Sequence, residues 1–161
     1  MKWAPWARPA PHTAPTAAKA AGLYMICTLS KHIAEAEGCD DALMVDWRGQ
    51  LAEGTGANLF LVINGELHTP TPDCFLNGIT RQTVIALAKR RGIKVIERAI
   101  LPEELAKADE VFLTGSAAEV TPVGEIIGER GHYRFAPGTI CRLMWEAYDR
   151  EVGKRVEASA A

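Results

Sequence analysis

The stretch Asn58-Leu59-Phe60-Leu61-Val62-Ile63-Asn64-Gly65-Glu66-Leu67-His68-Thr69 decides the fold class. Six residues rich in β-branched and aromatic side chains read as a strand. The Asn-Gly pair is the strongest two-residue hairpin signal, so residues 66–69 are expected to return antiparallel. Upstream, residues 42–46 (Ala-Leu-Met-Val-Asp) and 51–53 read as short strands separated by a turn through Arg48-Gly49, and Gly54-Thr55-Gly56 interrupts the chain before the hairpin. Downstream, residues 71–78 read as a loop. Thr80 is the expected N-cap of a helix over 81–91, with Gly92 ending it. A strand over 93–100, a short helix opened by Pro102, a strand over 110–114, a further strand within 120–127 and an amphipathic helix over 139–156 complete the run. Ahead of the strands lies a helix pattern over 17–37, with Gly38 as its terminator, and ahead of that a Pro-, Ala- and Trp-rich stretch over 1–16 that reads as an extended connector. The expectation is an α/β domain with a mixed, hairpin-containing sheet rather than simple βαβ alternation.

At 161 residues the chain fits one domain of ordinary size, and 48% hydrophobic with 24% charged residues is the profile of a globular protein. A net charge of -2, a pI near 6.1 and no long basic run argue against nucleic acid or an acidic membrane surface as partner. No apolar run is long enough to span a bilayer, and prolines and Arg8 break up any signal-peptide core at the N-terminus. Cys27, Cys39, Cys74 and Cys141 are scattered and form no C-x-x-C pair, so neither a zinc site nor a disulfide framework is expected, and no metal. A reducing, cytoplasmic setting follows as the expectation.

Four short stretches could carry chemistry. Lys19 sits among small residues in Pro15-Thr16-Ala17-Ala18-Lys19-Ala20-Ala21-Gly22. A nucleophilic lysine needs room for a planar cofactor, and small neighbours supply it, although a solvated lysine beside an alanine-rich helix is the commoner case. Glu53 ends a strand directly before Gly54-Thr55-Gly56. A carboxylate there can face a cavity while glycine lets backbone approach a ligand, and it could hold a pyridine nitrogen protonated. Asn77-Gly78-Ile79-Thr80-Arg81 places a hydroxyl at a helix start, where free N–H groups and the dipole favour a phosphate. Thr114-Gly115-Ser116-Ala117-Ala118-Glu119-Val120-Thr121-Pro122 follows a buried strand with small and hydroxyl residues that can offer donors to an anion. Each stretch alone more often has a purely structural use.

Their order is what is specific. Pro-Thr-Ala-Ala-Lys-Ala-x-Gly, then Glu-Gly-x-Gly-x-Asn-Leu-Phe, then Gly-Ile-Thr-Arg, then Thr-Gly-x-Ala-Ala-Glu-Val-Thr-Pro-Val resembles the fold-type IV, pyridoxal-phosphate-dependent aminotransferases, and the branched-chain amino acid group in particular. The resemblance covers residues 8–123 and, more loosely, the remainder. It implies the C-terminal large domain of the D-amino acid aminotransferase-like fold. Residues 1–12 would be the end of an interdomain connector and 13–161 the domain that binds pyridoxal 5'-phosphate.

By this resemblance Lys19 condenses with the cofactor aldehyde and shuttles a proton between the substrate Cα and the cofactor. Tyr24 hydrogen-bonds the phenolic oxygen, Glu53 pairs with the pyridine nitrogen, and Leu76 packs on the ring. Ile79, Thr80 and Ser116 bind the phosphate, Ser116 standing where the family often has threonine. Ser116 and Ala117 meet the substrate α-carboxylate. The implied reaction is transamination of leucine, isoleucine or valine with 2-oxoglutarate, in a homo-oligomer of two or more chains. D-Amino acid transaminase and aminodeoxychorismate lyase share the lysine and glutamate and remain open, as does a non-catalytic cofactor-binding remnant. Family members carry an N-terminal domain that adds an arginine to the phosphate, part of the side-chain pocket and dimer contacts, and the sequence is expected to lack it.

Overall fold

A computed structural model describes residues 1–153. The strands are β1 (Lys2–Trp3), β2 (Ala42–Val45), β3 (Leu51–Gly54), β4 (Asn58–Ile63), β5 (Glu66–Pro70), β6 (Val95–Arg98), β7 (Glu110–Gly115), β8 (Glu119–Pro122), β9 (Glu125–Ile126) and β10 (Tyr133–Arg134). The helices are α1 (Ala21–Ala36), α2 (Ile79–Arg90) and α3 (Thr139–Glu151), with a 3-10 helix at Pro102–Lys107.

The expected hairpin is present: β4 and β5 pair antiparallel with Ile63 opposite Glu66, and Asn64 and Gly65 both take positive φ at the turn. The sheet is mixed, as expected. The pairs β2–β3, β3–β4, β4–β5, β4–β7 and β7–β8 are antiparallel, while β1–β2 and β5–β6 are parallel. The second parallel pair is made by the crossover through α2.

β4 is the centre of the molecule and is buried along its whole length. Leu59, Leu61 and Ile63 enter one core with Val111, Leu113, Leu43 and Leu105. Phe60 and Val62 enter a second core with Phe112, Val84, Leu87 and Met144. A strand covered on both faces has no polar side to alternate, which explains the unbroken apolar run. Phe60 and Phe112 lie opposite each other in register and stack at 5.1 Å. α2 and α3 cover this second face, while β1–β3 and the 3-10 helix close the first.

Several boundaries differ from the sequence expectation. Residues 1–16 are not a free connector throughout: β1 joins the sheet edge, Trp3 is buried, and Arg8 N–H donates to Val45 C=O. α1 begins four residues later than expected, after turns in which Thr16 N–H reaches Ala14 and Ala18 N–H reaches Pro15. Alanines 17, 18 and 20 favour helix but offer no side-chain cap, so propensity alone did not locate the start. Lys19 therefore lies in the loop before the helix. Gly78, not Thr80, is the N-cap of α2, and Thr80 is in the first turn. The stretch 120–127 is split into β8 and β9, and β9 pairs with β10. The strand expected over 93–100 is confined to Val95–Arg98. The expected last helix ends at Glu151, and residues 154–156 of it lie outside the described residues.

Candidate active site

A cavity of about 280 Å³ opens where the C-terminal end of β3, the start of β4, the N-terminus of α2 and the end of β7 converge. Leu23, Tyr24 and Cys27 of α1 form one wall together with Ala17, Ala18 and Lys19. Of the eight residues singled out in the sequence, seven line this space: Lys19, Tyr24, Glu53, Leu76, Ile79, Thr80 and Ser116. Ala117 does not; it is exposed, one residue past Ser116 in the turn between β7 and β8. Ile79, at the helix start, is 82% exposed.

Glu53 is 8% exposed on the cavity floor. Burial pushes its carboxyl group up to about 8, with Arg8 opposing the rise and Asp41 adding to it. Asn58 stands opposite Glu53 in the β3–β4 register and braces it: Nδ2 donates to Oε2 at 3.2 Å. The same amide group donates to Leu76 C=O at 2.9 Å and accepts from Gly78 N–H at 3.1 Å. One buried side chain thus ties the acid to the loop that leads into α2. Gly78 is required by this contact, because a Cβ there would lie 2.5 Å from Asn58 Oδ1.

At the start of α2 the first intrahelical bond runs from Gln82 N–H to Gly78 C=O. The N–H groups of Ile79, Thr80 and Arg81 are thereby left without helical acceptors, the arrangement that binds anions. Thr114, near the end of β7, and Ser116, just past it, line the same space, and the Thr114 Oγ1 is buried with no partner. Thr80 Oγ1 lies 3.5 Å from the Tyr148 hydroxyl, which links the cavity to α3. Arg81, 1% exposed, holds the loop in place: it donates to Asn77 Oδ1 at 2.8 Å, Pro70 C=O at 3.1 Å and Glu97 at 2.8 Å.

Sequence reasoning missed Arg8, Asn58, Arg81 and Thr114. Asn58 and Arg81 stood inside quoted motifs, where their types could have drawn notice. Thr114 also stood inside a quoted stretch, as one of its hydroxyl residues, but was given no role of its own. Arg8 gave no signal at all, since an arginine among prolines has no periodicity to mark it as buried. All four cysteines are free thiols, and burial pushes Cys74 and Cys141 up to about 12.

The residues fit pyridoxal phosphate. The cavity offers a primary amine from Lys19, a buried carboxyl group at its floor and an anion site at a helix N-terminus, matching in type the aldehyde, ring nitrogen and phosphate of the cofactor. An amine, a buried carboxyl group and an anion site around one cavity on a mixed sheet are the features of a site for a phosphorylated, aldehyde-bearing cofactor. The chain belongs to the class IV amino-transferase family, whose model matches residues 3–126. It is 41% identical over 146 residues to a branched-chain-amino-acid aminotransferase of Pseudomonas aeruginosa, covering 90% of this chain and 47% of that protein. It is 45% identical over 136 residues to the corresponding enzyme of Escherichia coli K12, covering 83% of this chain and 44% of that protein.

Solved structures agree. The branched-chain aminotransferase of Thermoproteus uzoniensis with norvaline superposes with a TM-score of 0.88 at 40% identity, covering 94% of this chain and 50% of that one. An aminotransferase of Brucella abortus bound to the co-factor PLP gives 0.84 at 34% identity, covering 93% of this chain and 52% of that one. The chain spans about half the length of the curated relatives it matches. Among the described residues, no helix is long and apolar enough to cross a membrane.

Proposed function

We propose that the chain is the cofactor-binding half of a pyridoxal-phosphate-dependent branched-chain amino acid aminotransferase. The observation that carries this reading is the convergence of the Lys19 amine, the buried Glu53 carboxyl group and the α2 N-terminus on one cavity. When bound, the cofactor supplies an electrophilic aldehyde and a ring that accepts the electron pair released at the substrate Cα. Lys19 would hold the aldehyde end of the cofactor through its amine, and the same amine would serve as the base and acid for the proton at the substrate Cα. Glu53 keeps the ring nitrogen protonated, Tyr24 hydrogen-bonds the phenolic oxygen and Leu76 packs on the ring face. The backbone at Ile79 and Thr80 and the hydroxyls of Thr80 and Ser116 bind the phosphate. Ser116 and the backbone at Ala117 take the substrate α-carboxylate.

The substrates under this reading are leucine, isoleucine or valine with 2-oxoglutarate as the 2-oxo acid, in the biosynthesis of branched-chain amino acids. The names of the relatives above support it. Residues 1–12 serve as the end of an interdomain connector and 13–161 as the cofactor domain. The protein works in the cytoplasm as a homo-oligomer of two or more chains. To test the reading, the purified chain is mixed with pyridoxal phosphate, reduced with borohydride and mapped by mass spectrometry. Modification at Lys19 is expected, and modification elsewhere or none refutes the site. Conversion of leucine with 2-oxoglutarate, compared with D-alanine and with aminodeoxychorismate, separates the branched-chain activity from the two relatives that share the lysine and glutamate.

A further inference from the structure

Arg8 lies in the N-terminal segment, is 4% exposed and borders the cavity. Its backbone is fixed by the bond from its N–H to Val45 C=O at 2.8 Å. Its guanidinium is fixed by Nη1, which donates to Leu23 C=O and to Cys27 Sγ, both at 3.2 Å. Nε is buried without a hydrogen-bond partner and lies 3.4 Å from Glu53 Oε1. A buried guanidinium anchored from two other sides and aimed at a buried carboxyl group is an arrangement with a purpose beyond packing.

We propose that Arg8 is the positioning residue for Glu53: from the cavity wall it fixes the Oε1 edge of the carboxyl group and supplies the standing positive charge that lets this buried acid serve as an anion. The inference rests on the reading of Glu53 as the partner of the cofactor's ring nitrogen. Asn58 holds the other oxygen, Oε2, so both edges of the carboxyl group are defined before any ligand arrives. The remaining charged and titratable groups around Glu53 are few. Asp41, ahead of β2, repels its negative charge, and the Cys27 thiol of α1 also lies against the pair. Lys19 and Tyr24 share the cavity. In the cofactor-free chain burial outweighs Arg8, and the acid is neutral over much of the neutral range. A cation on the cavity side would add to Arg8 and tip the balance, so ionisation of Glu53 becomes conditional on the ligand. The acid is then an anion only when a protonated ring nitrogen faces it.

The test is a titration of the cofactor-free chain by carbon NMR of its glutamate carboxyl groups, with Glu53→Gln assigning the Glu53 signal. Arg8→Met should raise the pH midpoint of Glu53 by about 1–3 units, the range set by loss of one close opposite charge. Arg8→Lys should fall between that variant and the wild type. An unchanged midpoint in Arg8→Met would show that the arginine only ties α1 to the N-terminal segment, and would overturn the proposal. If Arg8→Met does not fold, the nitrogen resonance of Arg8 Nε in the wild-type chain decides. It should move through the same midpoint as the Glu53 carboxyl signal, and a resonance that stays flat across that range overturns the proposal equally. Neither readout uses the cofactor, so a failure here leaves the lysine mapping to judge the functional reading separately.

Discussion

Replacing Glu53 by glutamine should make the cofactor-free chain more stable, and the gain should grow with pH. In the folded chain the Glu53 carboxyl group is raised to about 8 from an ordinary 4.5. A group raised on folding contributes fully below its unfolded value and loses that contribution as pH climbs towards its folded value. Between those limits the unfolded chain is ionised while the folded chain must take up a proton, at a cost of about 1.4 kcal/mol per pH unit. At pH 7 the accumulated cost is about 3 kcal/mol. Glutamine removes the proton uptake, resembles the neutral acid in shape and keeps one acceptor oxygen for either Asn58 Nδ2 or Arg8 Nε. The difference between variant and wild type is therefore expected to be near zero at pH 4.5 and about 3 kcal/mol in favour of the variant at pH 7. For a domain of this size that corresponds to roughly 6–12 °C in Tm. Urea unfolding followed by circular dichroism at half-unit pH steps measures it directly, because all other titrating groups are shared and cancel. A difference that does not change with pH, or a variant less stable than the wild type at pH 7, refutes the reasoning. The same variant should transaminate poorly, since a neutral amide cannot hold the ring nitrogen protonated; stability and function would then oppose each other at one buried carboxyl group.

Lys19→Ala should abolish the visible absorption band of the lysine–cofactor adduct and lower turnover by about 10³-fold or more, read by spectrophotometry and a coupled transamination assay. Gly78→Ala should destabilise the chain by about 1–3 kcal/mol and weaken cofactor retention, since the new Cβ would meet Asn58 Oδ1 at 2.5 Å; dialysis followed by cofactor fluorescence measures the loss. Asn58→Ala removes bonds to Glu53, Leu76 and Gly78 at once. It should cost about 2–4 kcal/mol in chemical denaturation.

The amino-acid sequence by itself determined the β4–β5 hairpin, the apolar strands, the helix before the cavity and the order of four motifs. These are local properties. Asn64-Gly65 demands positive φ, β-branched and aromatic runs demand a pleated surface, and small residues around Lys19 leave space whatever the rest of the chain does. α1 and α2 begin at Ala21 and Ile79, after N-caps Ala20 and Gly78 that offer no side-chain cap, and both starts were misjudged, whereas α3 begins at Thr139 as expected. Only the tertiary structure decided that β1 joins the sheet through a parallel pairing and that Arg8 lies beside Glu53. It also decided that Asn58 reaches across to Gly78, 20 residues away in the chain. Burial sets the ionisation of Glu53, and burial is contributed by elements distant in sequence. A carboxyl group read from its neighbours alone looks like a surface acid, and it becomes a high-pKa acid only once the sheet, α1 and the N-terminal segment close around it.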